Sequence, residues 1–299
     1  TNRAHWTAAS NGWFVLPPVE VLRTLSATAR ARIYPDLFKQ PLNRSRGRPF
    51  QVAADKFEDW LAGCRLPDER AALFRSLTYR HGERLYFADF EVLEAECTLD
   101  EQQRLRKAMS QSPALLVRLR VTPDSDIEAL ARYWSGGRPG QAMKPFLQSL
   151  ARVPGGASVS VSFFFPTFAR LRLYTYPDPN TDPTAARQDC YWTALNFFNE
   201  RPSNRFFNES IVQKTLHTDY TEVAPPWTFG DLVMLLEEGR TAIHLCVYVA
   251  EDVVFTKNGS DPLRPWVLMK IPNMVEEYQM LQGKPVQAIG LRRKAAASP

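Results

Sequence analysis

The sequence predicts an α+β protein built from two domains, and three observations carry that expectation. Its 299 residues exceed the roughly 100 to 200 residues of a usual single domain. Segments with apolar residues at helical spacing are interleaved with segments that alternate apolar and polar residues. Between them, Tyr176 to Gln188 sets three prolines among Asn and Asp residues, a turn-forming composition that marks a linker. The boundary is therefore placed near residue 180, between an N-terminal α+β accessory domain, 1–180, and a C-terminal domain, 181–299.

Residues 1–50 are rich in proline and arginine and read as a wrapping segment, with a short helix from Val19 to Arg32 between Pro18 and Pro35. Residues 50–110 read as mainly helical. Val52, Phe57, Trp60 and Leu61 fall close to helical spacing within Phe50 to Leu77, which Pro67 should interrupt, and Leu99 to Ser110 carries a charged face. Arg84 to Leu93 alternates like a strand. Residues 111–176 read as α+β with a hairpin. A strand at Ala114 to Val121 precedes a helix that is capped by Asp124 or Ser125, runs to Trp134 and ends at Gly136 and Gly137. A second helix spans Gln141 to Val153, and two β-rich runs, Ser158 to Phe165 and Phe168 to Tyr176, follow as the expected hairpin.

Past the linker, a helix is expected to start at Cys190, with Leu195 and Phe198 at helical spacing. Gly230 and Asp231 form a turn before an apolar strand. From Ile243 to Ala250, residues His244, Cys246, Tyr248 and Ala250 share one face, while Leu245, Val247 and Val249 share the other, as in a strand between two environments. Glu251 and Asp252 make a tight turn, and Val253 to Lys257 returns to complete a hairpin.

Lysine and arginine outnumber acids 37 to 32, and the pI is near 9.0. Such a mild excess would favour anionic surfaces, but charges of both signs are interspersed, and the basic run Arg292 to Lys294 reads as a solvated terminus. No nucleic-acid partner is expected. No stretch approaches the ~18 to 20 apolar residues of a membrane-spanning helix, so no integral membrane segment is expected. No signal-peptide pattern opens the sequence; a start at Thr1 suits a mature or trimmed chain, which leaves export open. The four cysteines lack the spacing of a zinc knuckle, and neither metal nor other cofactor is expected. Cys64 and Cys97 either pair, in an exported protein, or remain buried free thiols.

The chemistry centres on Cys190. At a helix N-terminus the unpaired backbone N–H groups and the positive end of the dipole favour a thiolate. A cysteine nucleophile needs a base, and the base needs a partner on its other nitrogen. His244 opens one strand of the hairpin and the polar Thr256 and Asn258 close the other, so antiparallel pairing can bring them beside the imidazole.

Three elements in this order resemble the NlpC-type cell-wall peptidases of the papain-like cysteine hydrolase superfamily: Asp189-Cys190, then Gly230-Asp231-Leu232-Val233, then His244 followed by Leu245 to Val249. The resemblance spans Asp189 to about Leu291. It implies a papain-like domain, with an N-terminal helix packed on an antiparallel sheet, in which Cys190 is nucleophile and His244 base. The third polar residue falls where Thr256 and Asn258 stand; spacing favours Thr256, whereas the acceptor strength of an amide oxygen favours Asn258. Asp189 either meets a substrate amine or is a helix N-terminal acid stabilised by the dipole, Tyr191 and Trp192, which replace the family's Ser-Gly, are candidate substrate contacts, and His217 is a further candidate for lining the cleft. The implied activity is that of a peptidase or amidase cutting peptidoglycan stem peptides or related amides through a thioester, with the Cys190 backbone N–H in the oxyanion site. Alternatives that keep the fold are an inactive binding or adaptor protein and a lipid acyl-transfer variant. The implied location is secreted, periplasmic or otherwise at the cell envelope, with the cytoplasm left open.

Overall fold

The computed structural model describes residues 6–9, 12–15, 17–38, 49–111, 114–136, 143–282 and 284–294. The chain is a mixed α and β protein with several antiparallel sheets. It divides into two compact units, Thr1–Gln111 and Ser112–Pro299.

The first unit begins with a hairpin, β1 (Trp6–Ala9) and β2 (Gly12–Val15), followed by α1 (Val19–Thr24) and α2 (Ala27–Phe38). The single expected helix is thus two, broken at Leu25 and Ser26. Strand β3 (Phe50–Ala53) leads into α3 (Phe57–Gly63) and α4 (Asp68–Leu77). Pro67, whose fixed backbone suits the entry to a helix, is the residue before α4 rather than a break within one. Then come β4 (Tyr79–His81), β5 (Arg84–Phe87), α5 (Phe90–Glu96) and α6 (Leu99–Met109), the last opened by a reciprocal capping box between Thr98 and Glu101. The expected strand from Arg84 to Leu93 therefore stops at Phe87. Cys64 and Cys97 are both buried and free.

A buried ion pair links α2 to the residue before α5. Arg30 of α2 donates to the Asp89 carboxylate at 2.7 Å and to the carbonyls of Leu22, at 2.6 Å, Leu25 and Ser76, while the Tyr34 hydroxyl donates to the second Asp89 oxygen. Both charged side chains are fully buried. Asp89→Ala would leave a dry guanidinium without its counter-charge, and is expected to lower the unfolding free energy of this unit by about 3–5 kcal/mol. Hydrogen exchange of amides in α2 and α5 reads that loss directly.

In the second unit, β6 (Arg118–Val121) pairs with β7 (Ala157–Ser160) around α7 (Ile127–Ser135) and α8 (Met143–Ala151). The cap of α7 is Asp126, whose carboxylate accepts the Ala129 N–H at 2.9 Å, rather than Asp124 or Ser125; Gly136 ends the helix in the left-handed region. Gly137 and Gln141, expected to bound the neighbouring helices, lie outside the described residues. The run Phe168 to Tyr176 is not a strand: Thr167–Arg172 is helix α9, entered from Pro166. Phe165, Phe168, Ala169 and Leu173 are buried at helical spacing, and that period prevails over the strand preference of aromatic side chains. The expected hairpin is consequently replaced by the β6–β7 pair.

Residues Tyr176 to Gln188 are not a domain linker. Asp178 and Asp182 accept local backbone N–H groups, and the Gln188 amide donates to Asp182 at 2.6 Å, so the segment is a set of ordered turns. One aromatic core continues across it, with Phe168 against Trp192 and Phe165 against Phe197. The boundary expected near 180 therefore moves to 111/112.

The remaining elements are α10 (Cys190–Asn196), α11 (Glu209–Asp219), β8 (Tyr220–Val223), β9 (Leu232–Glu237), β10 (Thr241–Ala250), β11 (Val253–Lys257), β12 (Trp266–Lys270), α12 (Ile271–Gln282) and β13 (Val286–Arg293). The six strands form one antiparallel sheet in the order β12-β11-β10-β9-β13-β8. Both of its faces are covered. Leu245, Val247, Val249, Phe255 and Leu268 join the core formed with Trp192, Ala194, Leu195 and Phe197 around α10. Cys246, Tyr248, Val254, Val267 and Met269 face the other way, against Met274 and Tyr278 of α12. Among the described residues, no helix is long and apolar enough to cross a membrane.

Candidate active site

Cys190 is the first residue of α10, as expected. Asp189 caps the helix, its carboxylate accepting the Trp192 N–H at 2.8 Å. Burial pushes the Asp189 carboxyl above its ordinary value, against the opposing pull of that N–H and of the Lys257 ammonium. The thiol itself is dry. Cys190 is only 5% exposed, and burial, aided by the Asp189 charge, pushes its pKa up to about 12 although the backbone N–H groups of Leu245, Tyr191 and Cys190 favour the thiolate. Desolvation outweighs the helix terminus here.

His244 on β10 is fully buried on the face of the sheet that meets α12. Its Nε2 lies 2.7 Å from Thr256 Oγ1 on β11, and its Nδ1 lies 2.8 Å from the Tyr278 hydroxyl on α12. Donor arithmetic assigns the protons. The Thr256 hydroxyl donates to Asn258 Oδ1 at 3.3 Å, so Thr256 Oγ1 accepts from His244 Nε2–H; Nδ1 is then the acceptor and takes the Tyr278 proton. Asn258 Nδ2 donates onward to Glu277 Oε2 at 3.1 Å, and Arg264 donates to Glu277 Oε1 at 2.9 Å. Every bond points one way, from Tyr278 through His244, Thr256 and Asn258 to Glu277.

The two candidates for the third role are thereby separated. Thr256 touches the imidazole, and Asn258 stands behind it, fixing the direction of the Thr256 hydroxyl. Tyr191, next to Cys190 in the chain, is half-buried, and burial first, then a Cys190 charge, pushes its hydroxyl up. Two expected substrate contacts are not brought to the site. Trp192, two residues past Cys190 in α10, is 1% exposed and stacks on Phe207 in the core. His217 is exposed on α11, beside β8 at the far edge of the sheet from β11. Lys257, on the face opposite Thr256, donates to the carbonyls of Gly259 and Asp261 at 2.8 and 3.0 Å, and burial pulls its ammonium down to about 8.

Cys190 and His244 are not hydrogen-bonded to each other: both ring nitrogens are occupied by Thr256 and Tyr278. The thiol lies against β10 at Leu245, the residue after His244, whose backbone N–H favours the thiolate. The Gly-Asp pair expected to form a turn is structural. Asp231 accepts the Thr228 N–H and a bidentate pair of bonds from Arg292 at 2.9 and 2.7 Å, tying β9 to β13. Gly230 has φ +94°, and an added Cβ would meet the Phe198 ring at 2.5 Å. A cleft of about 590 Å³ opens beyond the other end of α10, lined in part by Arg132, Phe198, Asn199, Phe229 and Arg293; neither Cys190 nor His244 lines it.

Sequence reasoning missed Tyr278, Glu277 and Arg264. Met274 and Tyr278, four residues apart in IPNMVEEYQML, were the available signal of a helix face aimed at the sheet. Comparison with known proteins adds no relative: no family model, curated protein or solved structure matches the chain.

Burial pulls the His244 imidazole from 6.5 down to about 3. Between those values the unfolded chain binds a proton that the folded chain does not. Stability from this group is therefore full above pH 6.5 and falls by about 1.4 kcal/mol per unit as pH drops toward 3. Urea titrations from pH 6.5 to 4 are expected to show a shallower decline in His244→Gln than in the parent. Equal declines would contradict a neutral, buried ring.

Proposed function

We propose that the second unit is a cysteine hydrolase of papain-like, NlpC-type architecture that cleaves peptide or related amide bonds, with cell-wall stem peptides as its substrate class. The observation that carries this reading is the directed hydrogen-bond chain that leaves His244 Nδ1 as the accepting nitrogen, on the strand whose following residue, Leu245, turns its backbone N–H to a thiol at the start of a helix. Supporting it is the packing of α10 on an antiparallel sheet, in the same order of motifs as the sequence resemblance.

The reaction follows from these roles. The Cys190 proton passes to His244 Nδ1 as sulfur attacks the carbonyl carbon, and the Cys190 backbone N–H binds the oxyanion. The imidazolium protonates the leaving amine as the C–N bond breaks, which leaves a thioester. Water, deprotonated by His244, then releases the carboxylate and restores the thiol. Thr256 holds the ring in register by accepting from Nε2–H, the role an orienting acceptor plays for any such base.

A second reading, an inactive binding module, is favoured by one observation, the near-complete burial of Cys190. Incubation with purified peptidoglycan, followed by mass spectrometry of newly freed amines, separates the two. Under the hydrolase reading Cys190→Ala abolishes release, Thr256→Val lowers it roughly 100-fold or more because the ring loses its acceptor, and Asn258→Ala lowers it less. Release that persists in Cys190→Ala rules out this nucleophile, and a chain that binds peptidoglycan while neither the parent nor Tyr278→Phe, which frees His244 Nδ1, releases amines is the binding module.

A further inference from the structure

We propose that α12 is a lid that keeps the dyad idle, with the Tyr278 hydroxyl donating into the one imidazole nitrogen able to take the Cys190 proton. This inference rests on the hydrolase reading of the same site and adds its regulation. The base in a thiol–imidazole pair must present a free lone pair to the sulfur. Here the lone pair of His244 Nδ1 is filled at 2.8 Å, and the Tyr278 ring lies over the imidazole with centroids 4.6 Å apart and planes inclined by 30°. A neutral thiol beside a neutral, already satisfied imidazole is a resting state.

The contact belongs to a latch that α12 makes as a body. Met274 and Tyr278 are buried against the sheet, and Glu277, next to Tyr278, bridges Asn258 on one side and Arg264 on the other. The Tyr278 hydroxyl meets His244 Nδ1 at 2.8 Å; beyond burial, the larger cause, charges on Cys190, Glu277 and Cys246 would hold its proton more tightly and the Arg264 charge less tightly. Burial also holds the Tyr278 proton far more tightly than usual, so the hydroxyl stays a donor at neutral pH and does not relinquish the nitrogen by ionising. Because Glu277 and Tyr278 are adjacent on one helical turn, displacing α12 releases the tyrosine and the carboxylate together. Arg264 and Glu277 are about one-fifth exposed, at 21% and 20%, which puts the polar half of the latch within reach of a ligand from solvent.

Alkylation of the full chain by iodoacetamide, quantified per cysteine by peptide mass spectrometry, tests the lid without any assumption about substrate. Tyr278→Phe keeps the ring and removes only the hydroxyl. Its Cys190 labelling at neutral pH is expected to rise about 10-fold or more, with a lower midpoint in its pH profile, as His244 becomes free to take the thiol proton. Cys64 and Cys97, in the core of the first unit, serve as internal controls and should be unchanged. Glu277→Gln, which loosens the latch but keeps the hydroxyl, should give a smaller rise confined to Cys190. Unchanged Cys190 labelling in both variants, or equal acceleration at all the cysteines, overturns the lid. Amine release from peptidoglycan distinguishes the two levels of the argument. Selective Cys190 labelling with no release in Tyr278→Phe keeps the lid and removes the hydrolase; Cys190-dependent release that Tyr278→Phe does not increase removes the lid and keeps the hydrolase.

Discussion

Strand β10 is covered on both faces, by α10 on one side and α12 on the other, and that double burial determines what each of its side chains can do. Leu245, Val247 and Val249 fix α10, and through it the position of the Cys190 thiol. His244, Cys246 and Tyr248 belong to the opposite face, so the imidazole must find all of its partners in a dry layer. A buried imidazole is stable there only if both nitrogens are satisfied, and Thr256 and Tyr278 satisfy them. The site's geometry is thus a consequence of closing the core, not an addition to it.

The same dryness governs the electrostatics. A thiolate–imidazolium pair needs either water or well-placed dipoles, and in this closed arrangement desolvation acts on both partners, raising Cys190 and lowering His244. The backbone N–H groups at the start of α10 oppose the rise without cancelling it. Catalysis in the proposed sense therefore depends on admitting solvent or substrate between α12 and the β10–β11 hairpin. The polar chain ending at Glu277 and Arg264 is where that boundary reaches the surface.

Much of this second unit is readable along the chain. Asp189 before Cys190 is a local cap, the alternation from Ile243 to Ala250 is a local period, and Gly136 ends α7 by a local backbone preference; each acts within a few residues and was expected in place. Misreadings arose where a local signal had more than one tertiary use. Prolines and Asp residues in Tyr176 to Gln188 encode turns, but only the aromatic contacts on both sides show that the turns lie within one core. Aromatic residues from Phe168 onward suit a strand or a buried helix face, and packing selected the helix. Trp192 and His217 looked like cleft residues by position, yet one is core and the other exposed on α11.

By itself, then, the sequence determined the start of α10 at Cys190, the hairpin carrying His244 and Thr256, and the antiparallel character of the fold, since caps and periods act over a turn or two of chain. Tertiary structure alone decided that Thr256 rather than Asn258 meets the imidazole, that the compact units divide at 111/112, and that Tyr278 fills the other nitrogen. Tyr278 lies 34 positions from His244 in the chain. No local propensity spans such a separation; only the closure of a helix over a sheet brings the two together.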